Sequence, residues 1–321
     1  MREANLARLR AAECVMLRTP RDRIPYSPIV DRPLLALPNG ARLIVWVIVN
    51  VENWDTQRPM PRAVLPPPMG GNPLIPDLPN WAWHEYGMRV GFWRVLDALA
   101  ERAIVPTFAC NGSVCQAYPQ VVAAGLRAGW EFMSHGYVQA PMHSLEDQRG
   151  SIRRTIDAIA AATGRTPRGW ESPGLTETLE TIDLLAEEGI EYVADWVLDD
   201  QPCYVAAAAG HVVSLPYTVE MNDVAMIAVA QRPSEEFLAR GKRQFDRLYA
   251  ESSKIARIMS ISVHPYLIGV AHRIGYFEEL LAYIAGHENV LFWTGERILD
   301  WFREQRPFVP ALSERYFSGH D

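Results

Sequence analysis

Cysteine is scarce: Cys14, Cys110, Cys115 and Cys203 are scattered through 321 residues with no CxxC spacing. That excludes a disulfide-stapled secreted scaffold, and free buried thiols in a reducing cytoplasm are the expectation. Long apolar runs are also missing. The longest, residues 43–49, is strand-sized and far short of a bilayer span, so no membrane partner is expected. The first residues, MREANLARLRAAE, are charged, helical in pattern and without the apolar centre of a secretory signal. Positive charge is neither abundant nor clustered: 31 Lys and Arg face 38 Asp and Glu, a net charge of −7. No stripe could track phosphates, which argues against nucleic acid as a partner. Finally, no GxGxxG follows the first strand, so a dinucleotide-binding open sheet is disfavoured.

What the chain does have is apolar content, at 49% enough for a large core. From residue 42 onward two patterns alternate. Short β-branched or aromatic runs predict strands at 43–49, 105–109, 131–134, 169–171, 192–194, 212–215, 258–263 and 290–293. Between them, helical stripes recur: Val90, Trp93, Leu96 and Leu99; Ile152, Ile156 and Ile159; Leu179, Ile182, Leu184 and Leu185. Phe237, Phe245, Leu248 and Ile255 continue the series, then Phe277, Leu280, Leu281 and Ile284. Gly129, Gly164 and Gly189 stand where helices should stop, and Thr176 with Glu177 and Glu180 reads as a capped helix start. About eight strand–helix units favour an α/β fold closed as a (β/α) barrel. The expected organisation is an extended arm over 1–41, one barrel domain over 42–305 and a tail over 306–321. The Pro- and Gly-rich segment 59–79 is too long for a turn and has the make-up of a lid.

Polar residues fall at the strand ends. In order these are Asn50 and Glu52, Asn111, His135, Glu171, Asp195, then Glu220, Asn222 and Asp223, then His264 and Thr294. In a parallel barrel such ends meet on one rim, where barrel enzymes keep their chemistry. A single one of them would be an ordinary loop residue or helix cap; the set points to a site rich in titratable groups. His135 precedes Gly136, and His264 precedes Pro265, which breaks its strand. With Glu52 these two histidines form an acid–base set or part of a metal site.

The same residues carry a family resemblance. His135-Gly136-Tyr137 after an apolar strand, Arg168-Gly169-Trp170 after Thr163, Gly164 and Pro167, and a late strand ending in His264 resemble the polysaccharide deacetylase superfamily. Pro20-Arg21-Asp22, Asn50-x-Glu52, Glu85-Tyr86-Gly87-x-Arg89, Asp199-Asp200-x-Pro202 and Pro216-Tyr217-Thr218 with Asn222-Asp223 are closer to its allantoinase-like and cyclic imide hydrolase-like branch. The resemblance runs from Thr19 to about Trp301. It implies a distorted (β/α) barrel of the NodB-like type and hydrolysis of carbon–nitrogen bonds outside peptides.

Departures from the pattern shape the rest. Where deacetylases carry two aspartates, a base and a metal ligand, this chain has Asn50 and Glu52. Their HxxxH metal motif is reduced to His135 with Gln139, and His143 lies four residues further on. The resemblance implies a branch that has lost metal ligands. The expectation is no cofactor or a weakly held divalent metal, Zn2+ if any, with Glu52, His135 and His143 as candidate ligands. Glu52, His135 and His264 are the candidate catalytic residues; Asn50, Glu85, Arg89, Trp170, Glu171, Asp195 and Asn222 are the candidate substrate contacts. The expected activity is hydrolysis of an amide, imide or ureide bond in a small, cyclic, polar molecule. The alternatives are a metal-dependent deacetylase of N-acetylated sugars and a catalytically inactive small-molecule-binding barrel. The Pro-rich arm and the aromatics Trp81 and Trp83 suggest a homo-oligomer.

Overall fold

In the computed structural model, residues 19–66, 71 and 74–305 are described. The N-terminal 1–18 and the C-terminal tail from 306 lie outside them, as do 67–70 and 72–73 of the expected lid.

Nine strands form one sheet: β1 (Leu43–Val51), β2 (Thr107–Cys110), β3 (Glu131–Ser134), β4 (Gly169–Trp170), β5 (Tyr192–Val193), β6 (Cys203–Ala207), β7 (Gly210–Ser214), β8 (Arg257–Val263) and β9 (Val290–Phe292). Their order is β6-β7-β5-β4-β3-β2-β1-β8, with β9 beside the start of β1. Every pairing is parallel except the β6–β7 hairpin. The sequence pattern missed β6, whose run of Cys, Tyr, Val and Ala has little period-two contrast. No ladder joins β7 to β8. The gap is spanned by the segment after β7, where Asn222 bridges Ser262 and the Thr218 N–H donates to Ser260 Oγ at 2.9 Å. This is the distortion of a NodB-like barrel.

Helices form the outer layer: α1 (Pro20–Arg23), α2 (Leu78–Tyr86), α3 (Phe92–Ala100), α4 (Val114–Ala117), α5 (Pro119–Arg127), α6 (Gln148–Thr163), α7 (Thr181–Glu187), α8 (Glu236–Glu251), α9 (Ile274–Ala285) and α10 (Gly295–Glu304). α6 ends as the sequence suggests, with left-handed Gly164 (φ 73°) after it. The helix expected to start at Thr176 starts instead at Thr181. Thr176 is held in a loop, its hydroxyl donating to the Pro173 carbonyl and accepting the Met142 N–H.

Strand alternation sorts the core. Along β1, Leu43, Val45, Val47, Val49 and Val51 pack outward with Phe92, Val95, Leu99 and Phe277 of the helices. Ile44, Trp46 and Ile48 point into the barrel with Ala109, Met133, Tyr192, Val213 and Ile258. β1 is buried on both faces, which is why it reads as an unbroken apolar run. At the N-terminal mouth, α10 sits over a buried network. Trp46 Nε1 and the Gly295 N–H donate to Thr107 Oγ1 at 2.8 and 3.0 Å, and the Glu296 N–H donates to Glu131 Oε1 at 3.0 Å. Thr294 therefore lies at this end of the barrel, not on the rim where the sequence order suggested it, because β9 pairs only with the first residues of β1.

The arm is tied to the barrel rather than simply extended. Arg23, 2% exposed, bonds Asp183 and the carbonyls of Ala206 and Leu179.

Helix α2 runs through a π turn (Gly87–Gly91) into α3 and lies on the loop that follows β8. A Cβ on Gly87 would stand 2.5 Å from Tyr266 N, and one on Gly91 would overlap the Pro265 carbonyl oxygen. The glycines of the Glu85–Gly91 motif thus allow helix and loop backbones to touch. Gly91→Ala should destabilise by about 1–3 kcal/mol, the usual cost of overpacking. Calorimetry should show a melting temperature lowered by several degrees.

Candidate active site

Register aligns the strand ends: Val51 with Cys110, Cys110 with Ser134, Ser134 with Trp170, Trp170 with Val193, and Val49 with Val263. Continuing the inward parity past each end selects Asn50 and Glu52 from β1, Asn111 from β2, His135 from β3, Glu171 from β4 and His264 from β8. All six are buried, none more than 4% exposed.

At the centre stands an ion chain. Asp223 receives the His264 N–H at 2.9 Å on one oxygen and Nδ1 at 2.7 Å on the other, and His264 Nε2 lies 3.3 Å from Glu52 Oε1. Burial alone would discharge His264. The charge and hydrogen bond of Asp223, then those of Glu52, override it and hold the imidazolium with a pKa of about 9. For Glu52, burial works against ionisation, but His264 and a bond from Trp54 win and keep the carboxylate near 2. Its second oxygen accepts Trp54 Nε1 at 2.6 Å and the Tyr266 hydroxyl at 3.1 Å. Glu52 is therefore a fully paired buried anion and a poor proton acceptor.

His135 is the opposite case. Burial lowers its pKa to about 4, so it is neutral near pH 7. Nδ1 lies 2.9 Å from the Glu171 carbonyl oxygen, which can only accept, so Nδ1 carries the hydrogen. Nε2 is a bare lone pair with no partner. The Asn50 amide is oriented by the same logic. Nδ2 donates to Ser262 Oγ at 2.7 Å and to the Val263 carbonyl at 3.3 Å, leaving Oδ1 buried and unpaired. The Glu171 carboxyl also has an unpaired oxygen, and burial, reinforced by Asp195, raises its pKa to about 8. Near neutral pH it is an acid with a proton to donate.

Other candidates fall elsewhere. Trp170 has outward parity and packs with Ile152, Ile182 and Leu185 under the helices. Asp195, also of outward parity, is taken by the Ser172 N–H and hydroxyl behind Glu171. Asn222 is a brace, its Nδ2 donating to the Tyr217 hydroxyl at 2.7 Å and its Oδ1 receiving the Val224 N–H. Glu85 and Arg89 line a surface groove of about 260 Å³ on α2, where the Tyr118 hydroxyl donates to Glu85. The glycines in that motif face the barrel, so its charged residues face away. Asn111 is a clamp, accepting the Asn53 N–H and donating to the His135 carbonyl. Glu220 is exposed and pairs with Arg240.

Trp54 and Trp83, from the two ends of the segment 53–83, gather with His84 and Tyr266 into an aromatic cap. Trp54 stacks on His84 with centroids 4.5 Å apart, and Tyr266 lies 5.0 Å from Trp83, 5.2 Å from His84 and 5.4 Å from Trp54 in an edge-and-face cluster over Glu52. Arg62, from the long loop, lies close enough to Tyr266 for its charge to act on the phenol. Trp83 and Trp54 were visible as loop aromatics; that they cover a carboxylate was not.

The residues do not fit a divalent metal. Both Glu52 oxygens are in use, Gln139 Oε1 faces Asn111 Nδ2 at 3.4 Å, and His143 is exposed in the turn Met142–Ser144. Among the described residues no group of three His, Cys, Asp or Glu could hold one.

A family model described as polysaccharide deacetylase matches residues 84–193. The chain is similar to the crystal structure of PuuE allantoinase, with 27% identity and a TM-score of 0.80 over 91% of this chain and all of that one. A probable polysaccharide deacetylase from Pseudomonas aeruginosa PAO1 also gives 27% and 0.80, over 90% of this chain and all of that one. A Schizosaccharomyces pombe (strain 972) protein assigned to the polysaccharide deacetylases is 27% identical over 243 residues, 70% of this chain and 76% of the relative. The resemblance to the superfamily, on its allantoinase-like side, thus extends over most of the chain.

Asp223→Asn would remove the largest force holding the His264 proton, and an NMR titration should place His264 well below about 9. The sign for stability follows. A raised histidine pKa stabilises fully below its ordinary 6.5, and that contribution is lost as pH rises through about 9. The wild-type melting temperature should fall more steeply across that window than the variant's.

Proposed function

We propose that this protein hydrolyses a carbon–nitrogen bond of a small cyclic amide, imide or ureide. The observation that carries the reading is the pattern of unpaired atoms: two buried acceptors, Asn50 Oδ1 and His135 Nε2, beside the Glu171 acid. Leaving such groups unsatisfied costs about 1–3 kcal/mol each, a cost a ligand with complementary groups would offset. Asn50 and His135 ask for N–H or O–H donors, and Glu171 asks for a carbonyl. A ring in which N–H and C=O alternate supplies both. The aromatic cap and the burial of every inward group favour a single ring over a polymer, whose binding needs an open groove.

The roles follow from protonation. His135 Nε2 accepts a proton from water as it attacks the carbonyl carbon, and Glu171 hydrogen-bonds the oxygen on which charge develops. His264 gives its Nε2 proton to the leaving nitrogen, with Asp223 fixing the ring and Glu52 stabilising the charged form. Asn50 orients a substrate N–H. No step requires a metal.

A hydrolysis assay over hydantoin, dihydrouracil, succinimide and N-acetylglucosamine oligomers tests this. Turnover of at least one ring with chelator present is expected, and turnover of the oligomers alone, dependent on added metal, would sink it. His264→Ala should lower kcat by about 10²–10⁴, the range for lost acid–base catalysis. The rate should decline above about pH 8 as Glu171 ionises, and further through about pH 9 as His264 loses its proton. Homo-oligomeric assembly is part of the same proposal, supported by Tyr26, Val30 and Leu34 of the arm, each at least 75% exposed. Light scattering should give a mass above that of one chain.

A further inference from the structure

His84 comes from α2, outside the barrel, and is fully buried, yet neither ring nitrogen makes a hydrogen bond of good geometry, although the Glu52 backbone carbonyl is close enough to raise its pKa. An imidazole in this state is costly, because one nitrogen must carry a hydrogen and the other a lone pair. A phenyl ring would fill the same space without that cost. The surroundings show where the nitrogens matter. The ring stacks on Trp54 at 4.5 Å and 24° and lies 5.2 Å from Tyr266. Those two residues are the neutral donors to Glu52 Oε2. Glu52 and His264 are near enough for their charges to act on the His84 ring, which burial holds neutral. The backbone is fixed as well, since the turn after His84 is pressed against Tyr266 at Gly87.

We infer that His84 is a further substrate-contacting residue, which α2 adds to the strand-end groups and which offers one ring lone pair to an N–H of the bound ring. The inference rests on the proposed function, for it takes the ligand to be a cyclic amide, imide or ureide. The imidazole N–H and lone pair diverge, so with the N–H turned to the Glu52 backbone carbonyl the bare nitrogen complements a ring N–H, while the strand ends serve the rest of the ring. His84 therefore selects for a ring with an N–H next to the scissile bond, and an N-alkylated analogue would lose that contact. It takes no part in proton transfer.

The probe is hydantoin, titrated into protein labelled with 15N at histidine. The His84 ring resonances should move with the same affinity that calorimetry reports. His84→Phe should bind about tenfold more weakly, the loss of one hydrogen bond, with its melting temperature kept. His84→Asn, which retains a donor and an acceptor, should recover most of the affinity. On a turned-over ring, KM should rise and kcat change little, since the ring does not handle the proton. Hydantoin binding that leaves the His84 resonances unmoved would overturn the inference, as would a folded His84→Phe variant that binds like wild type. Should that variant fail to fold, the wild-type resonances decide alone. If the wild-type protein binds neither hydantoin, succinimide nor dihydrouracil, the functional reading itself falls, and this one with it.

Discussion

The two-residue alternation of the β-strands, carried beyond their last ladder bonds, governs this molecule. Inside the barrel it separates Ile44, Trp46 and Ile48 from the outward Val45, Val47 and Val49. One or two residues later the same parity delivers Asn50 and Glu52 inward, as Met133 foretells His135 and Ile258 foretells His264. A residue one step out of phase, such as Trp170, is consigned to the helix layer however well it fits a motif. The site is thus a continuation of the core, with polar atoms replacing methyl groups where the ladders stop.

That placement sets the electrostatics. Groups with so little water must find charge partners or give up charge. Two solutions coexist. Glu52, His264 and Asp223 stay ionised by lying in line, carboxylate, imidazolium, carboxylate. His135 and Glu171, which lack such partners, are neutral, one as a base and one as an acid. His135 keeps its bare lone pair while Trp54, Tyr266 and His264 direct their donors to Glu52. Glu52 is saturated by Trp54, Tyr266 and His264, whereas His135 keeps a bare lone pair, and for that reason the proposed mechanism takes His135 as its base.

How much of this could be read beforehand depended on whether the signal was local. The strands were legible because β-branched runs alternate with helical stripes, and Gly164 marked its helix end. Glu52, His135, His264 and Glu171 were legible because each follows directly on its strand. The missed features depend on distant contacts. β6 exists through its pairing with β7. Thr176 is kept out of its helix by Met142 and Pro173. Arg89 read as a substrate contact because the facing of the Glu85–Gly91 motif could not be fixed until Gly87 and Gly91 were seen against the loop 265–269.

Those glycines also explain why a helix outside the barrel belongs to the site. With backbone against backbone at Gly87 and Gly91, α2 cannot slide or rotate without meeting Tyr266 or Pro265. Tyr266 is two residues from His264 and donates to Glu52. The helix is thereby locked to the segment that holds the proton donor, and His84, one turn earlier, is carried to the same place. Trp54, coming from the end of β1, closes the ring of contacts by stacking on His84 while bonding Glu52. Three stretches far apart in sequence then share one carboxylate. A shift in any one of them alters the donors that keep Glu52 ionised, and through Glu52 the charge on His264.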